Sequence, residues 1–277
     1  MQPLSDTRRK TPVHPADNHL LTHVRRSTTA RLAYGTMTDT PAFVICRDIA
    51  TTTIATVEAL EAGGIDEIYL CDNDSTWPPL LEFYEQTDHT VIRFGRNRGK
   101  KGPWRTELIG RKAGGRRFIV TDPDIVPYDD CPNDWLAHWG DILDRFPDVV
   151  KVGFGLPTDD IPDRYEFRDV ARRRQAQHFS PDRHVPGVGY LTPLDTTMAL
   201  YRPGAPYCTG PAIRTEAPYV AKHLGWWIDS ARPSKELRHY RRRASNRFGH
   251  WTKKELPDRI TANPDRVLGP IRPRSAG

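Results

Sequence analysis

The stretch RRFIVTDPDIVP, residues 116–127, decides how the chain is read. A short apolar, partly β-branched run, Phe118 to Val120, leads through Thr121 into two carboxylates, Asp122 and Asp124, separated by one proline. The run has the length and composition of a buried strand. Residues two apart leave a strand on the same side. The two acids are therefore expected to face one way where a sheet ends.

Upstream, the same alternation occurs three times. AFVIC (42–46) predicts a buried strand and TTTIATVEALEAGG (51–64) a helix stopped by glycine. IDEIYLCD (65–72) and PPLLEFYEQ (78–86) form the second strand and helix, and HTVIRF (89–94) and PWRTELIGRKAG (103–114) the third. Downstream the pattern loosens: DWLAHWGDILDRF (134–146) and YEFRDVARRRQAQHF (165–179) read as helices, VVKVGFGL (149–156) and TTMALYR (196–202) as strands, the last followed by turn-rich sequence. Strands alternating with helices imply an α/β domain with a mostly parallel central sheet. Ligands of such sheets bind beyond the carboxyl ends of the strands. Polar residues gather at those ends: Arg47-Asp48, Asp72-Asn73-Asp74-Ser75, Gly95 to Gly99, and Asp122 to Asp124.

The 277 residues suffice for one large domain. The expected organisation is an extension over 1–38, with a short helix capped by Asn18; a domain over 39–251 in two halves, 39–127 and 128–251; and a tail over 252–277. A mean hydropathy of -0.64 and 25 prolines imply generous loops. No window approaches the roughly 18 apolar residues of a membrane span. The polar N-terminus lacks the apolar stretch of a secretory signal, so the expected compartment is the cytoplasm. Four cysteines without a CxxC pair argue against a zinc knuckle or a disulfide framework. The net charge of +6 favours anionic partners. Most basic clusters, Arg116-Arg117 and Arg241 to Arg243 among them, read as solvated faces.

Two carboxylates at a strand end suit a divalent cation such as Mn2+ or Mg2+, which takes oxygen ligands and shares them with substrate phosphates. The loop GRNRGKKGPW (95–104) has glycines for close backbone approach and cations for phosphate. Trp104, Trp226 and Trp227 could stack on sugar rings, and are equally well read as core residues.

In this order of motifs the chain resembles the GT-A glycosyltransferases, family 2-like, over roughly residues 40–230. The resemblance implies a single GT-A domain of the nucleotide-diphospho-sugar transferase, Rossmann-like kind, with 39–127 as its nucleotide-sugar-binding half and 128–251 as its acceptor-side half. It further implies a hexosyltransferase-type enzyme that moves sugar from a nucleoside diphosphate sugar, a UDP- or GDP-sugar, to an unidentified hydroxyl acceptor. Position by position, it places Cys46, Arg47 and Asp48 near the base, Asp72 and Asp74 near base or ribose, and Asn97, Arg98, Gly99 and Lys101 near the donor phosphates. Asp122 would approach ribose or metal and Asp124 would ligate the metal. His223, in YVAKHLGWW (219–227), is the candidate third ligand, ahead of His178, His184 and His250. The candidate catalytic base is Asp195, in TPLDTTMALY (192–201), with Glu216 as alternative.

FIVTDPDIV also fits a haloacid-dehalogenase-like, Mg-dependent phosphatase with Asp122 as nucleophile, but that family carries its motif on the first strand. A sugar nucleotidylyltransferase would need a glycine-rich loop after its first strand, where this chain has RDIATTT. No nucleic-acid-binding motif accompanies the positive charge, so no nucleic-acid partner is expected. Basic tails leave room for peripheral contact with the inner membrane surface.

Overall fold

The computed structural model describes residues 39–243. The expected extension over 1–38 with its short helix, His250, and the tail over 252–277 lie outside the described residues.

The first half keeps the expected alternation. β1 (Ala42–Cys46), α1 (Thr51–Ala62), β2 (Ile68–Asp72), α2 (Pro78–Gln86), β3 (Thr90–Arg93), α3 (Gly102–Arg105), α4 (Leu108–Ala113) and β4 (Phe118–Thr121) follow in order. β1 and β2 are buried at every residue, as strands covered on both faces must be. α1 ends at Gly63 and Gly64, the latter at φ 79°, a left-handed conformation that glycine adopts without a Cβ penalty. The single helix expected over 103–114 is broken at Glu107, which is left-handed at φ 56°. Trp104, whose indole N–H donates to Ala205 O at 3.1 Å, anchors α3, and the kink lets Leu108 and Ile109 enter the same apolar cluster.

The second half comprises β5 (Ile125–Pro127), α5 (Trp135–Arg145), β6 (Lys151–Gly155), α6 (Arg168–Ala176), β7 (His184–Val185), β8 (Gly189–Leu191), β9 (Ala199–Tyr201), β10 (Ala212–His223) and α7 (Lys235–Arg243). α6 is shorter than the expected 165–179. β10, twelve residues long, was read as turn-rich sequence. The misleading signal was Pro218, which the strand tolerates because residues 216–219 bulge out between Thr215, paired with Phe154, and Val220, paired with Gly155. α7 likewise escaped the sequence reading.

The strands order as β3-β2-β1-β4-β9-β6-β10-β8-β7, with β5 pairing β10. From β3 to β10 every strand but β9 runs the same way, because β9 is antiparallel to both β4 and β6. One reversed strand thus sets the start of β9 at the rim where β1, β4 and β6 end. Apolar clusters pack on both faces of the sheet, one built around Trp135, Trp139 and Phe154, the other around Phe43, Phe118 and Tyr201.

Gly153 on β6 is needed where β9 comes closest, since a Cβ there would lie 2.4 Å from Met198 O and 2.8 Å from Leu194 Cδ2. Gly153→Ala should cost about 1–3 kcal/mol by overpacking, read as a lowered urea midpoint at unchanged slope.

Lys151 on β6 is fully buried, and its ammonium donates to Asp195 O (3.0 Å), Tyr201 Oη (2.9 Å) and Cys208 O (2.7 Å). Burial pushes its pKa from the ordinary 10.5 down to about 8. Between those values the unfolded chain holds a proton that the folded chain has released, so stability rises with pH. Relative to Lys151→Met, the wild type should gain on the order of 3 kcal/mol across that window in chemical unfolding at a series of pH values. Equal pH slopes for the two proteins would contradict this.

Candidate functional site

The chain leaves β1 toward β2 and β3 on one side and returns to β4 on the other, so the carboxyl ends of β1 and β4 flank the topological switch point. Asp122 emerges there from β4. Its N–H donates to Thr196 O (2.8 Å), and its Oδ2 accepts from Thr196 Oγ1 (2.8 Å), which ties the acid to the segment before β9. Asp124, 3 % exposed, has one carboxylate oxygen, Oδ1, without a hydrogen-bond partner. Its Oδ2 lies 3.5 Å from His223 Nδ1. The histidine arrives because β10 pairs with β5 and sets His223 opposite Ile125, the residue after Asp124. Leu224 N–H then donates to Asp124 O (2.7 Å), and the His223 ring stacks on Trp226 at 4.6 Å.

Residues about a hundred positions apart are thereby brought together, and the set lacks positive charge. Burial pushes Asp122 well above the carboxylate range, helped by repulsion from Asp124 and Asp195. Burial also raises Asp124 to about 7 and lowers His223 to about 4, leaving the imidazole neutral. Among the described residues, no group of three or more His, Cys, Asp and Glu side chains is close enough to form a metal cluster by itself. An orphaned buried carboxylate oxygen next to a neutral imidazole still fits a Mn2+ or Mg2+ ion whose remaining ligands are water and phosphate oxygens.

Asp195 lies just before β9 and acts electrostatically on Asp122. It accepts from Lys100 Nζ, and from Tyr207 Oη at 2.9 Å. Burial pushes its carboxyl up, yet the Lys100 charge and these two bonds outweigh burial, so the pKa is lowered overall and Asp195 stays ionised. Glu216 is elsewhere: it sits in the β10 bulge and pairs with His184 Nε2 at 2.6 Å on β7, the edge strand. His178 is also apart, with Nδ1 2.9 Å from Thr192 Oγ1.

The residues expected at the base and ribose mostly hold loops together. Asp48, left-handed at φ 50° and fully buried, accepts the N–H groups of Thr76 (2.6 Å) and Trp77 (3.0 Å), the entry to α2. Asp72 accepts from Tyr84 Oη (3.1 Å), Ser75 N–H (3.2 Å) and Arg93 Nε (3.2 Å). Asp74 is half-buried at φ 66°. The Cys46 thiol points into the core, donates to Val44 O (3.4 Å) and is pushed up to about 12 by burial. In the basic loop, Asn97 Oδ1 accepts Gly99 N–H (2.9 Å), Arg98 N–H donates to Asn73 Oδ1 (2.9 Å), and Lys101 Nζ lies 4.4 Å over the Tyr207 ring. Trp104 and Trp226 serve packing, while Trp227 has Lys222 Nζ 5.4 Å over its ring.

α7 closes over this rim. Glu236 Oε1 accepts Ala50 N–H (2.6 Å) and Thr51 N–H (3.2 Å), capping α1 from a distant helix. His239 reaches Thr76 Oγ1 (3.2 Å), Arg243 Nε lies 3.3 Å from Asp48 Oδ2, and Arg47 donates to Arg243 O (2.9 Å). Arg243 is thus no solvated face, and neither is Arg116, which bonds Glu67 (2.7 Å). Sequence reasoning missed Lys151, Thr196, Tyr207 and all of α7. Lys151 had a usable signal, a charge inside an apolar run; KELRHYRRR had no apolar period to read.

No family model matches the chain, and no curated protein does. Among solved structures, the chain is similar to the mannosyltransferase PcManGT from Pyrobaculum calidifontis in complex with GDP-Man and Mn2+, at 19% identity and a TM-score of 0.39 over 59% of this chain. The match spans 44% of that protein's length, less than half of it. It is also similar to a putative glucose-1-phosphate thymidylyltransferase from Bacillus anthracis in complex with a sucrose, at 10% identity and a TM-score of 0.35, over 71% of this chain and 77% of the other.

Proposed function

We propose that the chain is a nucleotide-sugar-dependent glycosyltransferase with a divalent cation, Mn2+ or Mg2+, at Asp124 and His223. The observation that carries the reading is the unpartnered Asp124 Oδ1, buried at the switch point beside Asp122 and a neutral imidazole. Such a site lowers its own electrostatic cost only by taking up positive charge. The cation would neutralise charge on a departing nucleoside diphosphate.

The other residues follow from this placement. Asp122, fixed by Thr196, offers its second oxygen to metal or ribose. Arg98, Lys100 and Lys101 bring cations to the donor phosphates from the loop after β3. Asp195 is the better of the two candidate bases: it is ionised, close to Asp122, and each oxygen accepts only one bond, which leaves lone pairs for an acceptor hydroxyl. In the transfer the sugar C1–O bond to the diphosphate breaks, a bond forms from C1 to the acceptor oxygen, and Asp195 takes the hydroxyl proton. The phosphatase alternative would carry its motif on the first strand, whereas Asp122 follows β4, after three strand-helix units.

UDP, GDP, CDP and dTDP should be compared by thermal shift with and without Mn2+. At a concentration 100 times its Kd, a nucleotide that binds the native state adds about 2.7 kcal/mol. One nucleotide is expected to stabilise the protein only with metal, and Asp124→Ala should lose both that shift and at least 100-fold in turnover. Metal-dependent stabilisation that survives in Asp124→Ala would remove the metal assignment.

A further inference from the structure

Arg214 on β10 is 4 % exposed. Its Nε donates to Pro193 O at 3.0 Å, while Nη1 is buried with no hydrogen-bond partner. A buried guanidinium with an idle N–H is costly unless an acceptor reaches it. The protein offers none. Asp195, the carboxylate that acts on Arg214, is already bonded by Lys100 and Tyr207, and its backbone oxygen by Lys151. Lys100, Lys151 and Arg214 therefore share one carboxylate, the last two of them buried and Lys100 half-exposed.

More positive charge lies next to it. Arg183, from the single turn before β7, and Arg214 both act on His178, and with burial they push its pKa down to about 3. His178 is consequently neutral, tied at Nδ1 to Thr192. Arg214 stands on β10 well before His223: with residues 216–219 bulged out, the paired run from Arg214 through Thr215 and Val220 to His223 spans roughly 16 Å at ~3.3 Å per residue. One diphosphate bound at Asp124 is too short to serve both places.

We propose that Arg214, with His178 and Arg183, forms a second oxyanion site that receives a phosphate-type group carried by the acceptor. A planar fork with an idle N–H is suited to the paired oxygens of a phosphate, and a neutral histidine adds a hydrogen bond without a competing charge. The word acceptor rests on the transferase reading; the oxyanion site does not.

The test uses inorganic phosphate as probe, titrated by calorimetry into the full chain, alone and with saturating Mn2+ and the nucleoside diphosphate identified by thermal shift. Phosphate should bind in both conditions. Arg214→Lys, which keeps the charge and loses the fork, should weaken it at least tenfold, and Arg183→Ala should weaken it severalfold. Absence of phosphate binding to the wild type, or its loss on filling the donor site, would overturn the proposal. So would unchanged affinity in Arg214→Lys or, should that variant not fold, in Arg183→Ala. If no nucleoside diphosphate binds but phosphate affinity still depends on Arg214, the oxyanion site stands and the donor reading falls.

Discussion

An ammonium group buried at the start of an apolar strand must find acceptors or fail to fold, and Lys151 finds three. Two of them are backbone oxygens, of Asp195 and Cys208, from segments that enter and leave the region of β9. The third is Tyr201 on β9 itself. Desolvation makes these bonds compulsory, since an unpaired buried charge costs several kcal/mol. Meeting that requirement sets the loop bearing Asp195 against β6 and, through Thr196, against Asp122. The second half of the fold is thereby registered to the first by one side chain.

Opposite electrostatic conditions meet along the rim. Around Asp122, Asp124 and His223 carboxylates outweigh the one cation, Lys100, that acts on Asp122; around Lys100, Lys151 and Arg214 cations outnumber the single carboxylate they share. Asp195 belongs to both neighbourhoods, raising Asp122 on one side and steadying Arg214 on the other. The reversed strand β9 makes this possible. Were it parallel to β4, its start would lie at the opposite end of the sheet and the two half-sites would have no residue in common.

The first half of the fold was legible because each of its elements is announced locally: apolar runs of strand length, prolines that open helices and glycines that close them. His223 and Asp124 were readable as partners by chemical type alone, before β10 was recognised as the strand that carries the histidine. β10 itself was hidden by Pro218, whose bulge is a tertiary accommodation with no local signature. The roles of Asp48 and Asp72 could not be read either, since a carboxylate that binds the backbone of a neighbouring loop and one that binds a ligand look alike in sequence. Asp195 could be put forward only by position, and its ion pair with Lys100 joins segments 95 residues apart.

α7 is attached by apolar and polar contacts together: Leu237 is buried, burial pushes the Tyr240 hydroxyl up to about 12, the His239 ring lies 5.0 Å from Trp77, and Glu236 reaches the α1 amides, His239 Thr76 and Arg243 Asp48. Apolar burial tolerates salt, whereas partly exposed ion pairs are screened within a Debye length of about 8 Å at physiological ionic strength. Of the contacts named, the ion pair of Arg243 with Asp48 is the one that salt weakens, so ionic strength bears on the last turn of α7 and leaves the Leu237 and Trp77 contacts unaffected.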